Sequence, residues 1–111
     1  MMNISITMKE FNSTVLTAKQ LAIVQFKTEW NGACEIIAPV YDDLANLYKH
    51  VANFFTIDAE KEKKVSRLYR INETPAILFF QDGEMIDCVI GLISRNILIS
   101  KIENALSQNK Q

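Results

Sequence analysis

The sequence predicts an α/β fold in which a central mixed β-sheet is flanked by helices. Two strongly apolar runs, 21–26 and 51–58, are each followed by a helix-periodic segment, which is the order of parallel strands joined by helical crossovers. Asp82-Gly83 separates two further strand-like runs and is a signal for a tight antiparallel hairpin. A final amphipathic segment follows that hairpin. Parallel and antiparallel strands are therefore expected in one sheet.

Length and composition indicate one ordinary globular domain. The chain has 111 residues, of which 49% are apolar and 23% charged, and its formal net charge is −1. We expect a single domain over 1–111, with a core at 21–106, a short strand and helix in 1–20, and a tail at 107–111.

Charge and hydropathy also limit the partners and the location. Basic and acidic residues alternate over 60–64, so the sequence predicts no nucleic-acid partner, which would need a one-sided basic patch. No apolar run approaches the ~18 residues of a membrane span, and the first residues lack a basic leader. The sequence therefore predicts a cytoplasmic protein without a membrane partner.

The first half of the chain supplies two peripheral and two central elements. Alternation over 4–7 predicts a short strand, and 9–17 predicts a short helix that buries Phe11 and Val15. The run 21–26 is apolar except at Gln25, as expected for a strand covered on both faces. Apolar residues recur at helical steps over 34–50, so a long helix is expected, which Pro39 should kink and not end.

The second half predicts a strand, a helix, a hairpin and a closing helix. A second central strand is expected at 51–58, a helix at 61–70, and paired strands at 76–81 and 84–90. Gly91 should close the last strand. Ser94 is a favourable N-cap for the final helix.

The sequence Trp-Asn-Gly-Ala-Cys at 30–34 lies between the first central strand and the long helix. A helix N-terminus favours a thiolate, which makes Cys34 a candidate catalytic residue. Together with Ala38-Pro39, Thr74-Pro75 and the hairpin ending at Gly91, these residues resemble the thioredoxin family over about 21–106. The resemblance implies a thioredoxin-like fold with a cis-proline loop at Thr74-Pro75.

The active-site turn of Trp30, Asn31, Gly32, Ala33 and Cys34 departs from the family motif Trp-Cys-Gly-Pro-Cys. Asn31 replaces the attacking cysteine and Ala33 the proline, while Cys34 matches the resolving cysteine. An amide is not a nucleophile at neutral pH, and a disulfide needs two sulfurs, so the internal dithiol cycle is not expected.

Gln25 supports the same interpretation from another position of the sequence. The resemblance places it where the family commonly has a buried aspartate that accepts the proton of the second thiol. A neutral amide lacks that basicity. Two parts of one mechanism are therefore missing together.

Two hypotheses from different functional classes follow. In the first, the protein binds a protein or peptide without chemistry, in a groove of Trp30, Thr74, Pro75 and Gly91, where the resemblance implies pairing of the Thr74 backbone with an extended strand. In the second, Cys34 acts as a monothiol and forms mixed disulfides with a protein or with glutathione. Neither hypothesis requires a cofactor or a metal.

Two other residues of chemical interest are assigned structural roles. Cys88 is predicted to face the core together with Ile86 and Ile90, and a disulfide between Cys34 and Cys88 is not expected. His50, the single histidine, is predicted to cap the end of the long helix, where a cation suits the helix dipole.

Overall fold

The computed structural model describes residues 3–108, which form a five-stranded mixed sheet with helices on both faces. The elements are β1 (Asn3–Ser5), α1 (Met8–Glu10, continued by a π-helical turn at Phe11–Val15), β2 (Leu21–Lys27), α2 (Gly32–Leu47), β3 (Ala52–Asp58), α3 (Lys63–Leu68), β4 (Ala76–Gln81), β5 (Glu84–Ile90) and α4 (Arg95–Gln108). The strand order is β1-β3-β2-β4-β5; β1, β2 and β3 are parallel, and β4 and β5 each run antiparallel to the preceding strand in that order. The predicted α/β class is confirmed.

Two apolar layers, one on each face of the sheet, explain the continuous apolar run of β2. Leu21 and Ile23 pack with residues of α2 and α4, whereas Val24 and Phe26 pack with residues of the α1 segment and α3. Successive strand residues point to opposite faces, so a strand covered on both faces is apolar at almost every position.

The helix and strand ends differ from the sequence-based expectations by a few residues. The first strand ends at Ser5 because Thr7 is already the N-cap of α1, in a capping box with Glu10. Phe11 and Val15 are buried as predicted. At the other end, α4 continues to Gln108, so the first two residues of the expected tail are helical; 109–111 lie outside the described residues.

The ends of α2 correct two predictions. The helix begins at Gly32, two residues before the predicted start, so Cys34 is its third residue. It continues past Pro39, as predicted, but ends at Leu47. His50 therefore lies in a turn beyond the helix, where its carbonyl accepts a hydrogen bond from Gln20 Nε2 at 3.2 Å. The predicted capping role of His50 is wrong.

Cys88 lies on the edge strand β5 and is exposed, which contradicts its predicted place in the core. The pairing of β4 with β5 shifts between Phe79 and Phe80, whose partners are Asp87 and Met85. This bulge interrupts the period-two alternation on which the prediction was based. Val89 is the buried residue of β5. Both Cys34 and Cys88 are free thiols.

Three tyrosines stabilise the two layers, and each has a raised pKa. Burial raises the pKa of Tyr41, whose phenol donates to the carbonyl oxygens of Ile23 at 3.0 Å and Phe55 at 2.7 Å. Burial, together with a hydrogen bond to Glu103, raises the pKa of Tyr48 to about 12. Burial also raises the pKa of Tyr69.

These phenols predict a loss of stability at alkaline pH. A phenol whose pKa is higher in the folded than in the unfolded chain stabilises the fold fully below its unfolded pKa of about 10, and this contribution is lost as pH rises through the folded pKa. We expect the free energy of unfolding in urea to fall as pH rises from about 10 to about 12. Tyrosinate absorbance of the folded protein should lag that of the urea-unfolded chain; coincident titration curves would contradict the prediction.

Candidate functional site

The turn after β2 projects Trp30 away from the protein. Trp30 has a φ of 59° and its residue surface is 93% exposed. A left-handed backbone conformation is uncommon for a bulky residue, because its Cβ is crowded there. Residues with this kind of backbone strain are concentrated at functional sites. A large aromatic ring in this conformation is therefore held in solvent next to the start of α2.

Asn31 is the N-cap of α2. Its backbone is extended, with φ −107° and ψ 115°, and its Oδ1 accepts a hydrogen bond from the backbone N–H of Cys34 at 3.0 Å. Asparagine is among the preferred N-cap residues because its side chain satisfies a free N–H of the first turn. The helix therefore begins at Gly32, and Asn31 acts on Cys34 through the backbone.

The other end of the Asn31 amide connects this turn to the loop before β4. Asn31 Nδ2 lies 3.2 Å from both the carbonyl oxygen and the Oγ1 of Thr74. The hydroxyls of Thr28 and Thr74 lie 2.8 Å apart. We call these contacts among Thr28, Asn31 and Thr74 the Asn31 bridge. Asn31 thus connects two loops that are 43 residues apart in sequence.

The loop at Thr74–Pro75 adjoins Gly91. The Thr74–Pro75 peptide bond is cis, and the Pro75 carbonyl accepts a hydrogen bond from Gly91 N at 2.7 Å. Gly91 has a φ of +88°, and a Cβ there would lie 2.9 Å from Glu73 Oε2. A side chain at 91 would therefore be strained by the backbone conformation, and the Glu73 carboxylate would have to move aside. Three of the four predicted groove residues, Thr74, Pro75 and Gly91, are adjacent.

Trp30 and Cys34 line a separate cleft of about 420 Å³, which we call the thiol cleft. Cys34 is buried, with 5% of its surface exposed. Thr74, Pro75 and Gly91 do not line this cleft, so Trp30 lies on a different depression from its predicted groove partners. The cleft is lined by Lys27, Thr28, Glu29, Trp30, Cys34, Glu35 and Ala38.

Sequence reasoning missed the contribution of the end of β2 and of Ala38 to this cleft. Cys34 and Ala38 are one helical turn apart, a spacing that places them on the same face of α2. That spacing could have predicted that Ala38 lines the cleft. Nothing in the sequence predicted the contribution of 27–29, because their position beside α2 depends on the turn conformation at Trp30.

Gln25 is buried in the sheet on the side of α2. It alternates with Leu21 and Ile23, which pack against α2, and 3% of its surface is exposed. A buried amide here cannot accept a thiol proton as a carboxylate would.

The described part of the chain contains neither a metal-ligand cluster nor a spanning helix. Among residues 3–108, no three histidine, cysteine, aspartate or glutamate side chains are close enough to bind one metal ion. None of the helices in that range is long and apolar enough to cross a membrane.

Comparison with known proteins identifies the family. The family model described as Thioredoxin matches residues 2–104. The chain belongs to the thioredoxin family. Its sheet order, with the β4–β5 hairpin and α4 after the parallel strands, is therefore a thioredoxin-like fold, as the resemblance implied.

Individual thioredoxins are similar at about a third of positions. The chain is 33% identical over 93 residues to a thioredoxin of Mycoplasmoides gallisepticum, with 84% of the chain and 92% of the relative covered. It is 26% identical over 102 residues to thioredoxin 1 of Synechococcus elongatus, covering 92% and 95%. A chloroplastic M-type thioredoxin of Spinacia oleracea is 33% identical over 99 residues, 89% of the chain, which spans about half of that relative (53%).

The Asn31 bridge predicts a measurable contribution to the stability of this thioredoxin-family protein. An N-cap side chain contributes about 0.5–2 kcal/mol and each hydrogen bond about 0.5–1.5 kcal/mol. We expect Asn31→Ala to lower the free energy of unfolding in urea by about 1–3 kcal/mol. Asn31→Asp keeps the oxygen that caps the helix and removes the N–H donor to Thr74. Its free energy of unfolding should therefore lie between those of Asn31→Ala and wild type. Equal stability of all three proteins would contradict the bridge.

Proposed function

We propose that this thioredoxin-family protein binds protein segments without covalent chemistry and is not a dithiol reductase. The observation that carries the proposal is that both ends of the Asn31 amide form hydrogen bonds, to Cys34 N at 3.0 Å and to Thr74 at 3.2 Å. The site of the attacking thiol thus holds a structural contact. A dithiol cycle needs a free thiolate at that position.

The surroundings of Asn31 support a binding role. Trp30 is 93% exposed, and aromatic residues of this kind dominate the energy of many protein interfaces. Thr74, Pro75 and Gly91 lie together on the other side of Asn31 as a second contact area, separate from the cleft at Trp30, where a partner strand would pair. The Asn31 bridge keeps the two sides in a fixed relation before any partner arrives, which lowers the ordering cost of binding.

Monothiol chemistry at Cys34 is the second candidate, and one observation favours it. Although 5% exposed, Cys34 lines the open thiol cleft. In this reaction the Cys34 thiol loses its proton to solvent and its sulfur attacks a disulfide such as oxidised glutathione. The S–S bond of that disulfide breaks, one of its sulfurs leaves as a thiolate, and the other forms a mixed disulfide with Cys34. An external thiol then attacks this mixed disulfide and releases Cys34 as the thiolate.

Two assays separate the candidates. In a background of Cys88→Ser, which removes the exposed thiol, the protein is incubated with oxidised glutathione and its mass is followed with and without urea. A binding module should form an adduct in the folded state much more slowly than in urea. Equal rates would favour the monothiol reaction.

The second assay measures insulin reduction in the presence of dithiothreitol. We expect no acceleration over the uncatalysed rate for wild type, and none for Cys34→Ser. Turnover by wild type that Cys34→Ser abolishes would overturn the proposed function. The cytoplasmic location expected from the sequence stays a prediction.

A further inference from the structure

An acidic depression lies next to the thiol cleft, with Glu29 in the lining of both. That depression has a volume of about 270 Å³ and is lined by Glu29, Asp58, Glu60 and Lys61. Glu29 also lines the thiol cleft, so the two share a wall. We call the residues lining both depressions the Glu29 surface. It includes Trp30 and does not include Thr74, Pro75 or Gly91.

Trp30 gives the Glu29 surface an apolar anchor. Its ring lies beside the cleft walls of Cys34 and Ala38, and it is the most exposed of the large apolar residues in 3–108. Burial of such a side chain is favourable roughly in proportion to the apolar area removed from water. A partner that covers Trp30 therefore gains binding energy from a contact the free protein leaves in water.

The charges of the Glu29 surface select the partner. Four carboxylates line it, against two ammonium groups, those of Lys27 and Lys61. The whole chain has a formal net charge of only −1, so this excess is local. Within 3–108, the ion pairs are Arg95–Asp43 and Lys101–Asp87, and neither involves these carboxylates. The four carboxylates are those of Glu29, Glu35, Asp58 and Glu60.

The arrangement fits an organic cation better than a metal ion or a phosphate. The described acidic side chains do not converge to within metal-binding distance, and a negative surface repels phosphate. Asp58 Oδ1 already accepts hydrogen bonds from Glu60 N at 3.0 Å and Lys61 N at 3.1 Å. Glu29 and Glu60 are the other two carboxylates of the acidic depression, so a partner's lysine or arginine in that depression would lie against them.

We propose that the Glu29 surface binds a protein segment in which a lysine or arginine stands next to an apolar side chain. The apolar side chain covers Trp30, and the cation lies over Glu29 and Glu60. This inference rests on the proposed function, because both need a protein partner at Trp30. It adds the chemical class of that partner.

The test uses Trp30 as its own reporter, since it is the single tryptophan of the chain. Three synthetic peptides share one apolar centre and differ only in flanking residues: lysine, serine or glutamate. Each is titrated into the full chain while tryptophan emission is followed. We expect the lysine-flanked peptide to have a Kd about fivefold or more below that of the serine-flanked one. About 0.5 M salt should reduce this preference, because it screens exposed charges.

Charge-removal variants locate the effect. Glu29→Gln and Glu60→Gln should each weaken binding of the lysine-flanked peptide about two- to fivefold, the range of exposed ion pairs, and leave the serine-flanked peptide unaffected. Glu84→Gln is the matched control, because Glu84 is exposed at the β4–β5 hairpin, at the opposite end of the sheet. It should change neither Kd.

The outcomes separate the two proposals. Equal affinity for all three peptides, or an equal effect of Glu84→Gln, would overturn the charge inference and leave the binding function standing. Tighter binding of the glutamate-flanked peptide would do the same. Absence of binding by every peptide, in emission and in calorimetry, would overturn both.

Discussion

Asn31→Cys is expected to form a disulfide with Cys34 in air and to give the protein a disulfide reductase activity that wild type lacks. The scaffold retains the start of α2 and the adjoining loop at Thr74, so we expect the new thiol to act as the family's attacking cysteine does. Its neighbour three residues on is the buried Cys34, which can resolve a mixed disulfide. Mass spectrometry after alkylation detects the disulfide, and insulin reduction detects turnover.

The activity of Asn31→Cys should stay well below that of a thioredoxin with a complete motif. Gln25 cannot accept the proton of Cys34, and Ala33 makes the turn less rigid than a proline would. The substitution also removes the Asn31 bridge, so the reduced form should be less stable than wild type. Asn31→Ser is the control, because it retains a capping oxygen and adds no sulfur. A folded Asn31→Cys without disulfide or turnover would show that 31 and 34 are not the family's cysteine pair.

Much of the fold follows from local patterns. The run of β2 is apolar because both faces are covered, and Asp82-Gly83 forms the expected turn, with φ values of 53° and 81°. Ser94 caps α4 as predicted: its Oγ accepts from Ile97 N at 3.2 Å. The turn and the cap are decided by residues that are neighbours in sequence, and the apolar run of β2 reflects burial of both its faces, so the sequence pattern contains all three.

The failures share a dependence on distant partners. The alternation of β5 predicted a buried Cys88, but a bulge opposite Phe79 and Phe80 decides which residues face inward. From the sequence, Asn31 was predicted to replace the attacking cysteine of the family motif. Its contact with Thr74 could not be predicted, because it depends on the fold. The thiol cleft likewise depends on the left-handed backbone conformation of Trp30, which the residues around it did not predict.

Gln25→Asp is expected to have a large and pH-dependent effect on stability. Burial raises the pKa of a carboxyl group by up to about 3–5 units, and each unit corresponds to 1.36 kcal/mol. The pKa of the introduced carboxyl group in the folded variant would lie above its unfolded value of about 3.9. The folded variant is therefore most stable at pH below about 4, where this carboxyl group is protonated. Its free energy of unfolding, relative to wild type, should then fall by about 2–4 kcal/mol as pH rises to about 7. Urea unfolding at both pH values measures this difference.

In the Asn31→Cys background the same carboxylate should increase reductase activity while it lowers stability. An ionised aspartate on the α2 side of the sheet can accept the proton of Cys34, and a positioned base contributes about 10²–10⁴-fold in many enzymes. We expect a rise of about tenfold or more over Asn31→Cys alone, whereas Gln25→Asp without the second cysteine stays inactive, so the two changes are more than additive. Gln25→Asn is the control, since it shortens the side chain equally and cannot ionise. If Asn and Asp at 25 give the same rate and the same pH-independent stability, this residue is not coupled to the thiol, and the loss of the acid is unrelated to the loss of the cysteine.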